Sequence, residues 1–367
     1  MSTLTQIIRA EIAATGVLPF ARFMELALYC PECGYYEQQK DTVGRHGDFI
    51  TSVSTGELFG QLLAFQFAEW LEAAGKKQKS EWKIVEAGAH DGRLAKDVLS
   101  WLELNRPNLF EQTGYVIIEP SARRQAWQKE TLEAMSPRVR WLSQFNDPAI
   151  QRFNGIIFSN ELLDAFPVHR FGWNKKNQAW FEWGVGVEDE KFVREKIPRL
   201  ANELPHSVRQ VPPALLAVLP DDYTVEVSPA AEKWWRQAAG SLARGKLVAI
   251  DYGFTEAERF SPARTQGTLR AYFRHHVSDD LLANPGGQDL TAHVNFSTIQ
   301  QAGEAAGLIT ESFQTQPQFL TSILEKAMEQ KNFGEWNARR TRQFQTLTHP
   351  EHLGRAFSVL VQSRCNS

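Results

Sequence analysis

Cysteine is scarce in this chain, and its scarcity removes one large class of architectures. Three cysteines in 367 residues, Cys30, Cys33 and Cys365, cannot staple a chain of this length as a disulfide scaffold. Cys30 and Cys33 stand in C-x-x-C spacing, but no second pair and no H-x-x-x-H partner follows to complete a structural zinc. The pair reads as two ordinary thiols beside a turn, and no metal is expected. No apolar run approaches the ~20 residues that cross a bilayer, so no membrane span is expected. A large charge of one sign is missing too. The formal net charge of -3 gives no global field toward nucleic acid or anionic membrane, and no nucleic-acid partner is expected. The opening MSTLTQIIRAEIAATG has neither the basic-then-apolar layout of a secretory signal nor an Arg-rich transit pattern, and a cytoplasmic location is expected.

What is present is the balance of a globular enzyme, with 43% hydrophobic and 23% charged residues, and 11 Trp and 23 Phe to fill a core. Residues 3–15 place Leu4, Ile7, Ile8 and Ile12 at helical spacing, with Gly16 as a stop. A second helix is expected over 20–28, and residues 57–71, apolar on most faces, read as a buried one. Residues 1–80 are therefore expected to form an N-terminal helical extension that covers a cofactor site. From Trp82 the rhythm changes. Strands at WKIVEAG, GYVIIEP, VRWLSQF and 155–159 alternate with helices over 93–104 and 122–135, the mark of βαβ units. The fold class expected for 81–367 is α/β, with a doubly wound, mostly parallel sheet. An insertion at about 171–220 breaks the pattern. Its first part, 171–187, reads as an antiparallel hairpin turning at Asn174 to Asn177. Trp173, Trp180, Phe181 and Trp183 of this insertion suit either a protein-docking groove or the wall of a small apolar pocket. YTVEVSP and KLVAIDYGF are expected to resume the α/β pattern, with helices over 297–306 and about 323–332 beyond.

Glu86-Ala-Gly-Ala-His-Asp-Gly92 ends a strand and opens a helix, so its backbone N–H groups face the sheet edge where such folds bind ligands. Gly88 permits close backbone approach, and Gly92 permits tight helix packing. A dinucleotide loop would offer G-x-G-x-x-G to a pyrophosphate. This loop opens with an acid, Glu86, which repels phosphate and suits the ammonium of a methionine moiety. An ordinary strand-to-helix turn accounts for the same residues about equally well. Glu119 ends the next strand, where a carboxylate can accept from both ribose hydroxyls of an adenosine. Together the loop and Glu119 favour S-adenosylmethionine over NAD. Asn160, Glu161 and Asp164 cluster past the strand ending at Ser159. Carboxylates there would hold a guanidinium or amine acceptor and take up its proton. Capping of a following helix is the alternative for Glu161 and Asp164.

Several segments, in order, resemble the MidA family of S-adenosylmethionine-dependent methyltransferases. They are Pro31-x-x-Gly34-Tyr-Tyr36, Gly47-Asp-Phe-Ile-Thr51 leading to Phe59-Gly60, the Glu86 to Gly92 loop, Asn160-Glu-Leu-Leu-Asp-Ala-Phe-Pro-Val168, Glu226-Val-Ser-Pro229, Asp251-Tyr-Gly253, and Pro285-Gly-Gly-x-Asp-Leu-Thr-Ala-His-Val-Asn-Phe296. The resemblance spans almost the whole chain and implies a class I, Rossmann-like methyltransferase. By it, Glu86, Gly88 and Gly92 would hold the methionine part and Glu119 the ribose, while Gly47, Asp48 and Thr51 would fold over the cofactor. Asn160, Glu161 and Asp164 would be catalytic on the acceptor side, Asn160 also meeting the cofactor, with Asp251 and Tyr252 nearby. Asp289, Thr291 and His293 form a further polar cluster, for which a turn organised by Pro285 and Gly286 is the simpler reading of Asp289. The family includes a mitochondrial complex I assembly factor that methylates an arginine, so the resemblance implies an arginine-bearing protein substrate such as a respiratory-chain subunit. A small-molecule O- or N-methyl acceptor and a catalytically weak assembly protein stay open as alternatives. The chain also departs from the family. In the family's E-x-G-P-G-x-G loop the Pro-Gly is replaced by Ala89-His90, Val53 to Gly56 replace Pro-Glu-Ile-Ser, and Asn295 stands where an Asp often precedes the final Phe.

Overall fold

The computed structural model describes residues 3–38, 51–75, 81–273, 276–278, 280–330, 333–354 and 357–365. The chain divides into two compact units. One gathers Met1–Gln39, Asp164–Glu232 and Phe254–Ser297, the other Lys40–Leu163, Lys233–Gly253 and Thr298–Ser367. The boundary expected at residue 80 therefore moves. Residues 1–39 leave the sheet unit because Leu18–Pro19 pairs antiparallel with Ala179–Glu188. Ile8, Phe23 and Met24 also pack with Val168, Val185 and Leu290. The buried helix expected over 57–71 stays with the sheet, since Leu62, Phe65 and Phe67 share a core with Ile84 and Phe158.

The sheet unit contains β1 (Trp82–Ala87), β2 (Thr113–Ile118), β3 (Val139–Leu142), β4 (Phe153–Asn160), β5 (Leu242–Phe254), β6 (Ile309–Thr315) and β7 (Phe357–Arg364). Their hydrogen-bonded order is β6-β7-β5-β4-β1-β2-β3. β3, β2, β1, β4 and β5 are mutually parallel, and β7 runs antiparallel between β5 and β6. Ile84-Val85 and Ile156-Ile157-Phe158 are continuous apolar runs because both faces of the central strands are buried. Each such side chain contributes about 1.5–3 kcal/mol relative to exposure. The helices used below are α1 (Leu58–Gly75), α2 (Arg93–Asn105), α3 (Ala122–Thr131), α4 (Pro229–Ser241), α5 (Phe296–Ala305), α6 (Gln316–Gln330) and α7 (Ala338–Thr348). α1, α2, α6 and α7 supply Phe65, Leu99, Ile323 and Leu347 to the core that includes Ile84, Tyr115 and Val248. Strand order reverses between β1 and β4, and open sheets of this kind bind ligands beyond the carboxyl ends at that reversal. Among the described residues no helix is long and apolar enough to cross a membrane.

The other unit is built on antiparallel strands. The expected hairpin is present as His169–Asn174 and Ala179–Glu188, with Trp173 opposite Trp180 and the Asn177 N–H donating to Asn174 Oδ1 at 2.9 Å. Tyr223–Val227 does not resume the α/β pattern as expected. It pairs antiparallel with His169–Asn174, because Tyr223, Val225 and Val227 pack on Phe171, Trp173 and Trp180. Trp173 and Trp180 are thus core side chains, 5% and 6% exposed. A three-stranded sheet places Arg270–Phe273 between His276–Ser278 and Asp289–Thr291.

Candidate active site

β1 ends by burying an acid. The Tyr115 hydroxyl donates to Glu86 Oε2 at 2.6 Å, and Glu86 is 2% exposed. Burial pushes the Glu86 carboxyl up to about 8; the Tyr115 hydrogen bond works against this, while Asp91 and Asp97 add to it. Burial thus favours the protonated form of Glu86 as the partner of Tyr115, against the anionic form that facing an ammonium calls for. The loop beyond turns left-handed three times, at Gly88 (φ 78), His90 (φ 46) and Gly92 (φ 87). A Cβ on Gly88 would lie 3.1 Å from Leu162 Cδ1 and 3.2 Å from its Cβ, so a side chain there would press Leu162 back by a few tenths of an ångström at a left-handed position. The Gly92 N–H closes the bend on the Ala89 carbonyl at 2.7 Å. Asp91 Oδ1 accepts from the Arg93 N–H at 3.1 Å, satisfying an orphan donor at the start of α2.

Glu119, just past β2, is no solvated strand-end acid. It is 3% exposed, and its Oε1 accepts from the Ser121 N–H at 3.0 Å. Oε2 accepts from Gln128 Nε2 at 3.1 Å and lies 3.3 Å from Arg124 Nε. Its own N–H donates to the Leu142 carbonyl at 2.8 Å, tying it to the end of β3.

At the end of β4, Asn160 Nδ2 donates to Glu161 Oε1 at 3.1 Å. Asn160 Oδ1 and Ser159 Oγ are buried without a partner. A buried acceptor left unmatched costs about 1–3 kcal/mol, so a bound donor belongs there. Glu161 is left-handed (φ 51), and its N–H donates to the Ile250 carbonyl at 2.9 Å. Asp251, fully buried in β5, accepts the Leu162 and Leu163 N–H groups on Oδ2 at 3.1 and 2.8 Å. The resemblance puts Asp251 near the acceptor, and what its side chain does in the sheet unit is fasten this turn. Thr51 is 8% exposed and locked to Ser54 by reciprocal hydrogen bonds of 2.9 and 3.1 Å ahead of α1. Gly47 and Asp48 lie outside the described residues.

Asp164 belongs to the other unit. It is 6% exposed within a one-turn 3-10 helix, Leu163–Ala165, and the next element is a strand, so Asp164 precedes no further helix that it could cap. Its carbonyl accepts from the Ala292 N–H at 2.9 Å. In the same unit the Tyr36 hydroxyl donates to Asp289 Oδ1 at 2.9 Å, and the Tyr29 and Tyr36 rings lie 5.5 Å apart. Burial, then the charge of Asp289, pushes the Tyr36 hydroxyl well above its ordinary value, with Tyr29 and Asp164 adding to it. Asp289 is thus a buried strand residue and not a turn. Thr291 pairs with Arg270 across the small sheet. His293 is held at about 4, by burial first and then by Arg264 and Arg270, and is neutral at pH 7. Sequence reasoning missed Tyr29 and also Tyr272, which pairs with Asp289 across the small sheet; Tyr36 stood in a quoted motif without a role. Cys30 and Cys33 are free thiols with Sγ atoms 2.8 Å apart. A cleft of about 700 Å³ lined by Glu81, Gln112, Thr113 and Arg138 lies at the amino ends of β1 and β2, the wrong end of the sheet for this site.

Comparison with known proteins decides the family. A family model described as "Putative S-adenosyl-L-methionine-dependent methyltransferase" matches residues 62–314. The chain belongs to that family. It is similar to a mitochondrial protein arginine methyltransferase, NDUFAF7, of Danio rerio, with 29% identity covering 97% of this chain and 86% of the relative. The Homo sapiens counterpart is 27% identical over 80% of this chain and 67% of its own length. A crystal structure of a Burkholderia thailandensis protein bound to S-adenosyl-homocysteine is 34% identical, with a TM-score of 0.82 over 98% of this chain and 92% of that one. The enzyme is a MidA-type methyltransferase, and S-adenosylmethionine is its cofactor. Its own residues fit that molecule: an acceptor without a donor at Asn160 and a buried carboxylate at Glu119.

Proposed function

We propose that this methyltransferase methylates a guanidinium nitrogen of an arginine side chain in a partner protein. The observation that carries the reading is the Asn160 to Leu163 turn, which fixes a left-handed Glu161 at the carboxyl end of β4. A guanidinium stays protonated near neutral pH, so methylation requires a carboxylate that aligns one nitrogen and receives its proton. Glu161 is assigned that task. The names of the curated relatives, protein arginine methyltransferases, support the same acceptor class. When bound, S-adenosylmethionine supplies a methyl group on a sulfonium, which leaves as a thioether when the N–C bond forms. The Gly88 to Gly92 loop, Glu119 and Asn160 would hold it, with Thr51 beside it. Burial of both faces of β1 and β4 supports a doubly wound sheet as the frame. The small-molecule reading loses Trp173 and Trp180 as pocket walls, since both are used in the core.

The test uses S-adenosylmethionine with a labelled methyl group and a cell lysate. Methylarginine should be recovered from hydrolysed protein, and Glu161→Gln should keep its affinity for S-adenosylhomocysteine while turnover falls about a hundredfold or more. Label confined to small molecules, or full turnover in Glu161→Gln, overturns the assignment.

A further inference from the structure

α3 is a polar helix that buries one side chain, and that side chain is an amide: Gln128 is 0% exposed. Burying an amide is unfavourable unless its polar atoms find partners. Gln128 Nε2 donates to the His90 carbonyl and to Glu119 Oε2, each at 3.1 Å, and its Oε1 accepts from Trp141 Nε1 at 3.0 Å. A single residue thus ties the loop after β1 to the acid after β2. The backbone it grips is the unusual part of that loop. His90 is left-handed at φ 46, between two glycines that are left-handed as well. An L-residue resists that conformation and glycine does not. His90 also stands where the family's loop pattern has glycine. The fit is close, for a Cβ on Gly92 would lie 3.4 Å from Gln128 Cα, so α3 rests on the loop.

We propose that Gln128 is a positioning residue for S-adenosylmethionine, holding His90 in the conformation that glycine would otherwise supply and keeping the loop in register with the Glu119 carboxylate. The clamp accounts for a left-handed position 90 that is not glycine. It rests on the cofactor assignment, and the first measurement separates the two: calorimetry on the unaltered full chain with S-adenosylhomocysteine. Absence of binding there would defeat the cofactor assignment itself.

Gln128→Met keeps the volume and removes all three hydrogen bonds. Its Kd for S-adenosylhomocysteine should rise about tenfold, the cost of one unsupported left-handed residue. Adding His90→Gly to Gln128→Met should recover most of that loss, because glycine needs no clamp. A residue that merely filled space would not be rescued from that position. Thermal melting without ligand checks that each variant folds. Should Gln128→Met fail to fold, Gln128→Asn, whose amide is too short to reach both partners, is read by the same criteria with its own His90→Gly double variant. Binding equal to the parent, or no recovery on adding His90→Gly, overturns the proposal.

Discussion

Glu86 shows how burial turns a motif acid into a pH-dependent stabiliser. Its carboxyl titrates near 4.5 when exposed and at about 8 in the fold. Between those values the folded chain holds a proton that the unfolded chain has released. Its contribution to stability is therefore complete below the lower value and is lost as pH rises toward the upper. His293 has the opposite sign, its value lowered from 6.5 to about 4, so its contribution is present above 6.5 and is lost as pH falls. Only Glu86 of the two acts between about pH 6.5 and about pH 8. In that window the melting temperature of the parent should fall with pH, and Glu86→Gln, which keeps an acceptor for Tyr115, should flatten the fall. Equal slopes in the two proteins would mean that Glu86 is ionised in the fold.

The bend from β1 into α2 depends on backbone that only glycine serves cheaply. Gly88→Ala adds a Cβ 3.1 Å from Leu162 to a residue at φ 78. The expected outcome is a folded protein whose Kd for S-adenosylhomocysteine rises about tenfold or more by calorimetry. Leu162→Ala in the same chain should restore only part of the affinity, since it relieves the contact but not the dihedral strain. Unchanged binding in Gly88→Ala would place the cofactor away from this bend. The bend could be read in the sequence because its signal is local: an apolar run, an acid, two glycines and an amphipathic helix. β1, β2 and β4 were readable for the same reason, as strands buried on both faces. Tyr223–Val227 was misplaced because a five-residue strand followed by α4 looks like one more βα step, whatever its pairing partner. β6 escaped notice since it alternates, with Ile309 60% and Phe313 36% exposed, and leaves no apolar run. The bonds of Gln128 to His90, and of Tyr36 to Asp289 across 253 residues, carry no local signature at all.

Three distant stretches of chain, 86–92, 119–128 and 160–163, meet at the carboxyl edge of one sheet, and each is fastened by a different side chain. Tyr115 holds the first from below, Gln128 joins the first to the second, and Asp251 secures the third. A ligand seated on all three must stabilise the folded chain by mass action, about 2.7 kcal/mol at a free concentration one hundred times its Kd. The added protection should be uneven, because local opening of short bends is less costly than opening of core strands. Hydrogen exchange with saturating S-adenosylhomocysteine should therefore slow most at the amides of 88–92 and at Leu162 and Leu163, which already donate to Asp251. The strand Ala179–Glu188, whose amides pair within the antiparallel unit, should exchange as before. Protection concentrated in Ala179–Glu188, with 88–92 unaffected, would move the cofactor off the sheet edge and leave the unmatched oxygen of Asn160 without its donor.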